Sequence, residues 1–351
     1  MSWVQLGNIK KSRHQLAVLR TVLDSQEDLI RLGLLSAIAQ LWAGEDDPRH
    51  CVKKLRNLRF QLKSINNNNL EIIAEMCHLS YLWREERIED MPISLRNLEK
   101  KLGKLFNSKH PSWKTYHVYK ILVQTMKYEA QNRYIFPLFD QIDKANFTSK
   151  LQSRFYKQAT RGFCYIYKGE TGRGLRHLES LLDLFEKNIG KSSPSTLQFG
   201  IKLGNILWDN NQFITAYNLA HRLHKICNKT FGPKSRITIK YRILLAKCMM
   251  RMRRSSEALS LLTTIHKKLD LTKQIRLAAE IHLQLCRLFM EKDQYIKSEN
   301  HLNSGRAIAS RHYYSSHSII EEFQRLAIVL RNRKNMRNNQ IISPIKTILV
   351  E

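Results

Sequence analysis

Apolar residues recur at helical spacing along most of the chain. The first run covers residues 12–43, with Leu16, Leu19, Val22 and Leu23 on one face and Ile30, Leu34, Leu35, Ile38, Leu41 and Trp42 continuing it. Gly44 to Pro48 then stops the helix, and Asp47 ahead of Pro48 offers an N-cap and a first-turn proline to the next one. That helix carries Val52, Leu55, Leu58, Phe60 and Leu62 and ends near residue 65. The rhythm continues in pairs: 70–83 with 93–106, 113–128 with 134–142, 155–167 with 175–185, 197–208 with 213–226, 237–252 with 258–265, and 275–290 with 295–309. A last helix spans about 319–330, followed by a polar, basic stretch (334–340) and a short apolar tail (341–350). Roughly sixteen helices joined by short polar turns, with no strand pattern, predict an all-α chain of helical hairpins.

A second pattern lies on top of the first. Gly162 and Gly174, Gly204 and Ala216, and Ala246 and Ala258 are each twelve residues apart, and the three pairs start 42 residues apart. Two helices of a hairpin that approach closely at one height need a small residue on each side of the contact. Leu203 and Leu245, just before the small residue of the first helix, fill the space beside it. Ala39 with Cys51 and Cys286 with Ser298 are weaker copies, whereas 70–142 keeps the hairpin rhythm without a clean small pair.

This double spacing resembles the tetratricopeptide repeat (TPR), whose consensus places a small residue at the eighth position and Ala at the twentieth. The repeat here is 40–42 residues long, similar to the longer repeats of kinesin light chains. Thr230 to Ile239, with Phe231-Gly232 before a polar turn, is similar to their connector, and Ile189 to Leu197 is a looser copy one period earlier. The resemblance implies a right-handed α-solenoid of stacked hairpins, a TPR-like superhelix. It divides the chain into an N-terminal helix or cap (1–25), repeats (26–310, clearest over 155–310), a C-terminal capping helix (311–334) and a tail (335–351).

It also implies a concave groove lined by the first helix of each hairpin, at fixed offsets from the small residue. Those offsets select Asn205 and Trp208; Lys240, Lys247 and Arg251; Arg287; and Tyr156, Phe163 and Tyr167. They also select Ile201, Ile243, Leu283 and Met290. One end of the expected groove is aromatic and the other cationic. Cations facing one channel point to an acidic or C-terminal carboxylate peptide, unless Asp209, Glu280 and Glu291 neutralise them within the groove.

Charge widens the choice of partner. Lys and Arg number 59 against 30 Asp and Glu, a formal net charge of +29, and such a field attracts polyanions. Part of it is spread over solvated helix faces. Lys53, Lys54, Arg56, Arg59 and Lys63, then Arg96, Lys100, Lys101 and Lys104, fall on second helices, which in such a repeat form the outer face. They make RNA or membrane phosphates an alternative ligand. The N-terminus has no secretory pattern, and no run approaches the roughly 18 apolar residues of a membrane span. The expected location is intracellular and cytoplasmic, with cytoskeletal association possible for a light-chain-like repeat.

Little in the sequence suggests chemistry. His221, His224 and Cys227 are neighbours on one helix face, but no further ligand accompanies them, so they are read as part of the hairpin seam. Gly169, Gly172 and Gly174 do not have the dinucleotide spacing and fall between two helices, where glycine serves a turn. The six cysteines are scattered among apolar helix positions and behave as small buried hydrophobes. No enzyme motif, metal site or cofactor is implied. The expected function is a non-catalytic adaptor that binds an extended, acidic peptide in its groove. The alternatives are a basic RNA- or phosphate-binding helical repeat, or the detached C-terminal arm of a larger signalling enzyme or ATPase.

Overall fold

The computed structural model describes residues 17–123, with gaps at 44–52, 63–66, 85–89 and 108–111 and at scattered single positions, and residues 150–348 apart from 269–273 and most of 312–317. The predicted pair Ala39 and Cys51 and the helix at 134–142 lie outside what is described, as does most of 113–128. The helices are α1 (Gln26–Ala43), α2 (Asn68–Arg84), α3 (Met91–Leu105), α4 (Lys150–Tyr167), α5 (Thr171–Asn188), α6 (Pro194–Asp209), α7 (Phe213–Phe231), α8 (Arg236–Arg251), α9 (Ser255–Lys268), α10 (Ile275–Glu291), α11 (Tyr295–Ser310) and α12 (Ser318–Ile348). No strand occurs among the described residues. The last helix runs well past the predicted stop near residue 330, through the polar stretch that follows. Two compact units result, Met1–Asn210 and Asn211–Glu351.

In the first unit α2 packs on α1 and α3, and α5 packs on α4 and α6. Leu55, Leu62, Leu79, Leu82, Leu98 and Leu102 are fully buried in one cluster. A second contact line is aromatic: Phe185 on α5 stacks on Phe155 of α4 (centroids 4.9 Å) and on Phe199 of α6 (5.4 Å). The small pair between α4 and α5 is in contact. A Cβ on Gly174 would stand 2.6 Å from the Gly162 carbonyl oxygen, and one on Gly162 would stand 2.4 Å from a Leu178 methyl.

In the second unit α8 packs between α7 and α9, α10 between α9 and α11, and α12 against α11. α8, α10 and α12 also touch in succession, so the first helices of the repeats form one layer. The α8/α9 pair Ala246 and Ala258 is fully buried. The weaker copy, Cys286 and Ser298, is as tight: Ser298 Oγ donates to the Cys286 carbonyl (2.9 Å) and lies 3.2 Å from its Sγ. Gly204 and Ala216 are both buried, one in each unit.

The turns inside the hairpins repeat as faithfully as the seams. Positive φ occurs at Gly169, Asn211, Arg253 and Asp293, at intervals of 42, 42 and 40 residues. At three of them the next residue donates its N–H five positions back, from Glu170 to Tyr165, from Arg254 to Met249 and from Gln294 to Phe289. This is the Schellman closure of a helix C-terminus, which requires a left-handed residue. Glycine and asparagine suit that conformation; arginine does not.

Three stability outcomes follow from these contacts and turns. Gly174→Ala should lower the unfolding free energy by about 1–3 kcal/mol, because backbone must move to admit the methyl. Gly172→Ala, with nothing within 4 Å of its added Cβ, should change it by less than about 0.5 kcal/mol. Arg253→Gly should raise the melting temperature by relieving the left-handed arginine. Urea and thermal unfolding measure all three, and equal losses at 174 and 172 would refute the close-contact account.

Candidate functional site

The expected groove residues divide between the two units. Phe163, Asn205 and Trp208 belong to the first, where all three are half-buried. Asn205 Nδ2 donates to the Ile201 carbonyl of its own helix at 3.1 Å. Tyr156 and Tyr167 are helical positions whose side chains lie outside what is described. Lys240, Lys247, Arg251 and Arg287 belong to the second unit.

Four offsets selected by the repeat analogy are core positions. Ile201, Ile243, Leu283 and Met290 are buried and face neighbouring helices. The periodic count places a residue on a helix face, but only neighbouring helices decide whether that face is open.

α8 shows the result most clearly. Ile237, Ile239, Tyr241, Ile243, Leu244, Leu245, Ala246 and Cys248 are all buried, so the helix is enclosed around most of its circumference. Lys240, Lys247 and Arg251, separated by seven and four residues, fall within a narrow sector of the remaining strip. The helix contains no acidic residue. Arg251 is exposed, with its guanidinium 4.9 Å from the centre of the Phe213 ring. Its register is fixed by Ser235, whose Oγ accepts the Thr238 N–H as an N-cap.

The equivalent strip on α10 carries Glu280, Arg287 and Glu291, of mixed sign. Arg287 is held at 3.4 Å by Glu322 of α12 and at 3.3 Å by Gln284. Glu291 accepts from Ser255 Oγ at 3.3 Å. The cation-only strip in this layer is therefore that of α8.

Spacing along the sequence did not foretell one cluster. His266 of α9, His282 of α10 and His301 of α11 meet at the heart of the second unit, with ring centroids 4.9–5.8 Å apart. His282 faces His266 through Nε2 (3.4 Å) and His301 through Nδ1 (3.0 Å). The two contacts use different nitrogens of one ring, so the three rings do not converge on one ion, and no metal-binding group of three occurs among the described residues. His301 also stacks on Phe289 at 5.4 Å. Burial, with His266 and His301 beside it, pushes His282 down to about 4. His266 and His301 are lowered too, chiefly by burial.

The thiols are equally withdrawn from chemistry. Cys77, Cys164, Cys227, Cys248 and Cys286 are free and buried, and burial pushes Cys77 and Cys164 up to about 12 and Cys248 to about 11. Cys227 is fully buried, whereas His221 on the same helix is exposed, so the sequence triplet His221, His224 and Cys227 does not present one open face. Among the described residues, no helix is long and apolar enough to cross a membrane.

A scan against protein-family models finds no match, and no curated protein matches the chain. Solved structures do. The chain is similar to a Rap protein complexed with competence and sporulation factor, at 11% identity and a TM-score of 0.51, covering 84% of this chain and 80% of that one. It is similar to NprR in complex with its cognate peptide NprX, at 13% identity and a TM-score of 0.54, covering 93% of each chain. A putative kinesin light chain from Podosopora anserina with nearly identical TPR-like repeats matches at 16% identity over 68% of this chain and 94% of that one, but its TM-score of 0.37 is too low to argue from. The likeness to the first two shows the fold, an all-α helical repeat of TPR type.

The histidine cluster makes the second unit acid-sensitive. The folded state of His282 binds its proton less readily than the unfolded chain, whose imidazole titrates near 6.5. Its contribution is thus fully present above pH 6.5 and is lost progressively as pH falls towards 4. The loss amounts to about 3 kcal/mol, and His266 and His301 act in the same direction. Chemical denaturation between pH 7 and 4.5 should show this slope, and His282→Gln should flatten it. An unchanged slope in the variant would place the acid sensitivity elsewhere.

Proposed function

We propose that this chain is a non-catalytic peptide-binding scaffold that takes an extended, acidic segment along the first-helix layer of its second unit. The observation that carries the reading is the α8 strip. On a helix buried nearly all round, the open sector holds Lys240, Lys247 and Arg251 and no acid. An extended segment rich in carboxylates complements the sign of this row while its backbone stays solvated. Arg287 lies in the same layer but is already bonded to Glu322, so it positions α12 and contributes less to the ligand. Phe163, Asn205 and Trp208 are half-buried positions of the first unit, and we propose them as ligand contacts of that unit by itself.

The fold is compatible with this use, since NprR has been solved with its cognate peptide NprX bound. The enclosed thiols and histidines support a binding role over a catalytic one: the nucleophile candidates are protonated and buried.

The reading is tested with an array of unstructured peptides of graded acidity. The wild-type chain should retain Asp/Glu-rich peptides, and Lys247→Glu with Arg251→Glu should weaken that retention by about tenfold or more while circular dichroism stays unchanged. Unaltered retention by the folded double variant would overturn it.

A further inference from the structure

A second basic surface lies on a different side of the same unit. Between Asp209 and Glu257 the chain has eleven Lys and Arg residues and no Asp or Glu. This stretch is α7, α8 and their turns, and α7 packs directly on α8. α7 buries Ala216, Ala220, Leu223 and Cys227. Its opposite face is exposed and carries Asn218, Arg222, Lys225, Asn228 and Lys229, and Lys234 follows in the turn to α8. Arg222, Lys225 and Lys229 rise along about 10 Å of helix. Lys225, Lys229 and Lys234 make no ion pair or hydrogen bond among the described residues.

The surface has a built element at its edge. Arg242 of α8 lies on the side away from Lys240, half-buried, with no acid paired to it among the described residues. Its charge and that of His221 act on His224 of α7, which places all three around one seam. Burial and these neighbouring charges hold the His224 imidazole below its ordinary value, and Arg242 itself is lowered by burial. An arginine withdrawn from water without a counter-ion costs stability, and an arriving anion removes that cost.

The geometry points to the outer face of α7, with Arg242 at its edge, as a binding site for the sugar-phosphate backbone of a nucleic acid. A row of separated cations needs a row of separated anions, and a backbone strand supplies them. Asn218, Asn228 and Thr230 stand among the cations as neutral donors of the kind that bind phosphate oxygens. An acidic protein partner would need an apolar centre to its interface. The exposed side of α7 has one exposed large aliphatic residue, Ile214, at the far end of the helix from Lys229. A membrane surface would likewise gain no insertion from this face. The site is independent of the α8 strip, which points another way.

The test is fluorescence anisotropy of the full chain with labelled mixed-sequence single-stranded RNA, and DNA of the same sequence, over a salt series. Binding should weaken with salt in proportion to the phosphates neutralised, with a logarithmic slope of about −0.7 per contact. Lys225→Ala, Lys229→Ala and Lys234→Ala combined should reduce affinity by about tenfold or more and make the slope shallower by about two. Removing an equal charge from the first unit, with Arg96→Ala, Lys100→Ala and Lys104→Ala, should have a smaller effect. Arg242→Gln should weaken binding while leaving the melting temperature unchanged or raised, which a structural arginine would not do. Absence of binding to either strand near physiological salt would overturn the proposal. So would equal losses in the two triple variants, or binding to phosphatidylserine vesicles without binding to nucleic acid.

Discussion

In the hairpins α4/α5, α8/α9 and α10/α11 the two helices meet at a height where a methyl group is already too large or just fits. At Gly174 the Gly162 carbonyl occupies the space that a side chain would take, and at Gly162 the Leu178 side chain does. At Ala246 and Ala258 two methyls fill it, and at Cys286 and Ser298 a thiol and a hydroxyl fill it and bond. This close approach fixes the register of each pair, and the left-handed turn residue seven positions after the first small residue closes the hairpin at the same point each time. Leucines above and below the contact can then pack at interior density. A larger residue at one seam would shift one helix along the other and displace every contact beyond it.

Close packing also decides where chemistry is possible. α10 is buried on nearly every side, with thirteen of its residues in the interior, and α8 is only a little more open. Burial keeps the described cysteines protonated and leaves His282 a weak base, so neither a thiolate nucleophile nor a base matched to neutral pH is on offer there. The charge of the chain is left to narrow strips and outward faces. Because the repeat interrupts its acids from 210 to 256, the second unit carries cations on two sides of one helix pair. Each side has its own spacing and its own degree of burial, and so its own suitable ligand. Acids and bases pair outside that stretch, as in Lys101 with Glu71 and Lys334 with Glu299, and at its end, where Arg254 meets Glu257. Exposed pairs of this kind add little stability, but they cancel the field that a polyanion would otherwise sense.

The terminal packing of the second unit depends on a residue outside the twelve-residue pattern. Gly305 of α11 leaves room for the fully buried Phe323 of α12; a Cβ there would stand 2.4 Å from the ring and 2.7 Å from His282 Cβ. The same glycine thus seats the last helix and borders the histidine cluster. Its partner lies eighteen residues away in the sequence, across a turn, and belongs to no repeat.

The sequence by itself determined most of the described helices and the repeat of their turns, because those rest on local periodicity and on small residues at a fixed separation; it ended α12 too early. It was enough to single out Gly162 with Gly174 and Ala246 with Ala258, but it read Cys286 with Ser298 as a weaker copy, and only the structure shows that pair to be as close. Tertiary structure decided what a given helix face meets. Ile201, Ile243, Leu283 and Met290 have the right offset for a ligand but are buried; Ile243 packs in one cluster with residues of α10, and Leu283 and Met290 in one with residues of α12. Arg287 reads as a groove cation until α12 places Glu322 against it. His266, His282 and His301 are sixteen and nineteen residues apart with no shared motif, and only the stacking of three helices makes them one cluster. Periodicity fixes direction around a helix axis; which directions remain open is set by packing between helices, and that depends on every other helix in the unit.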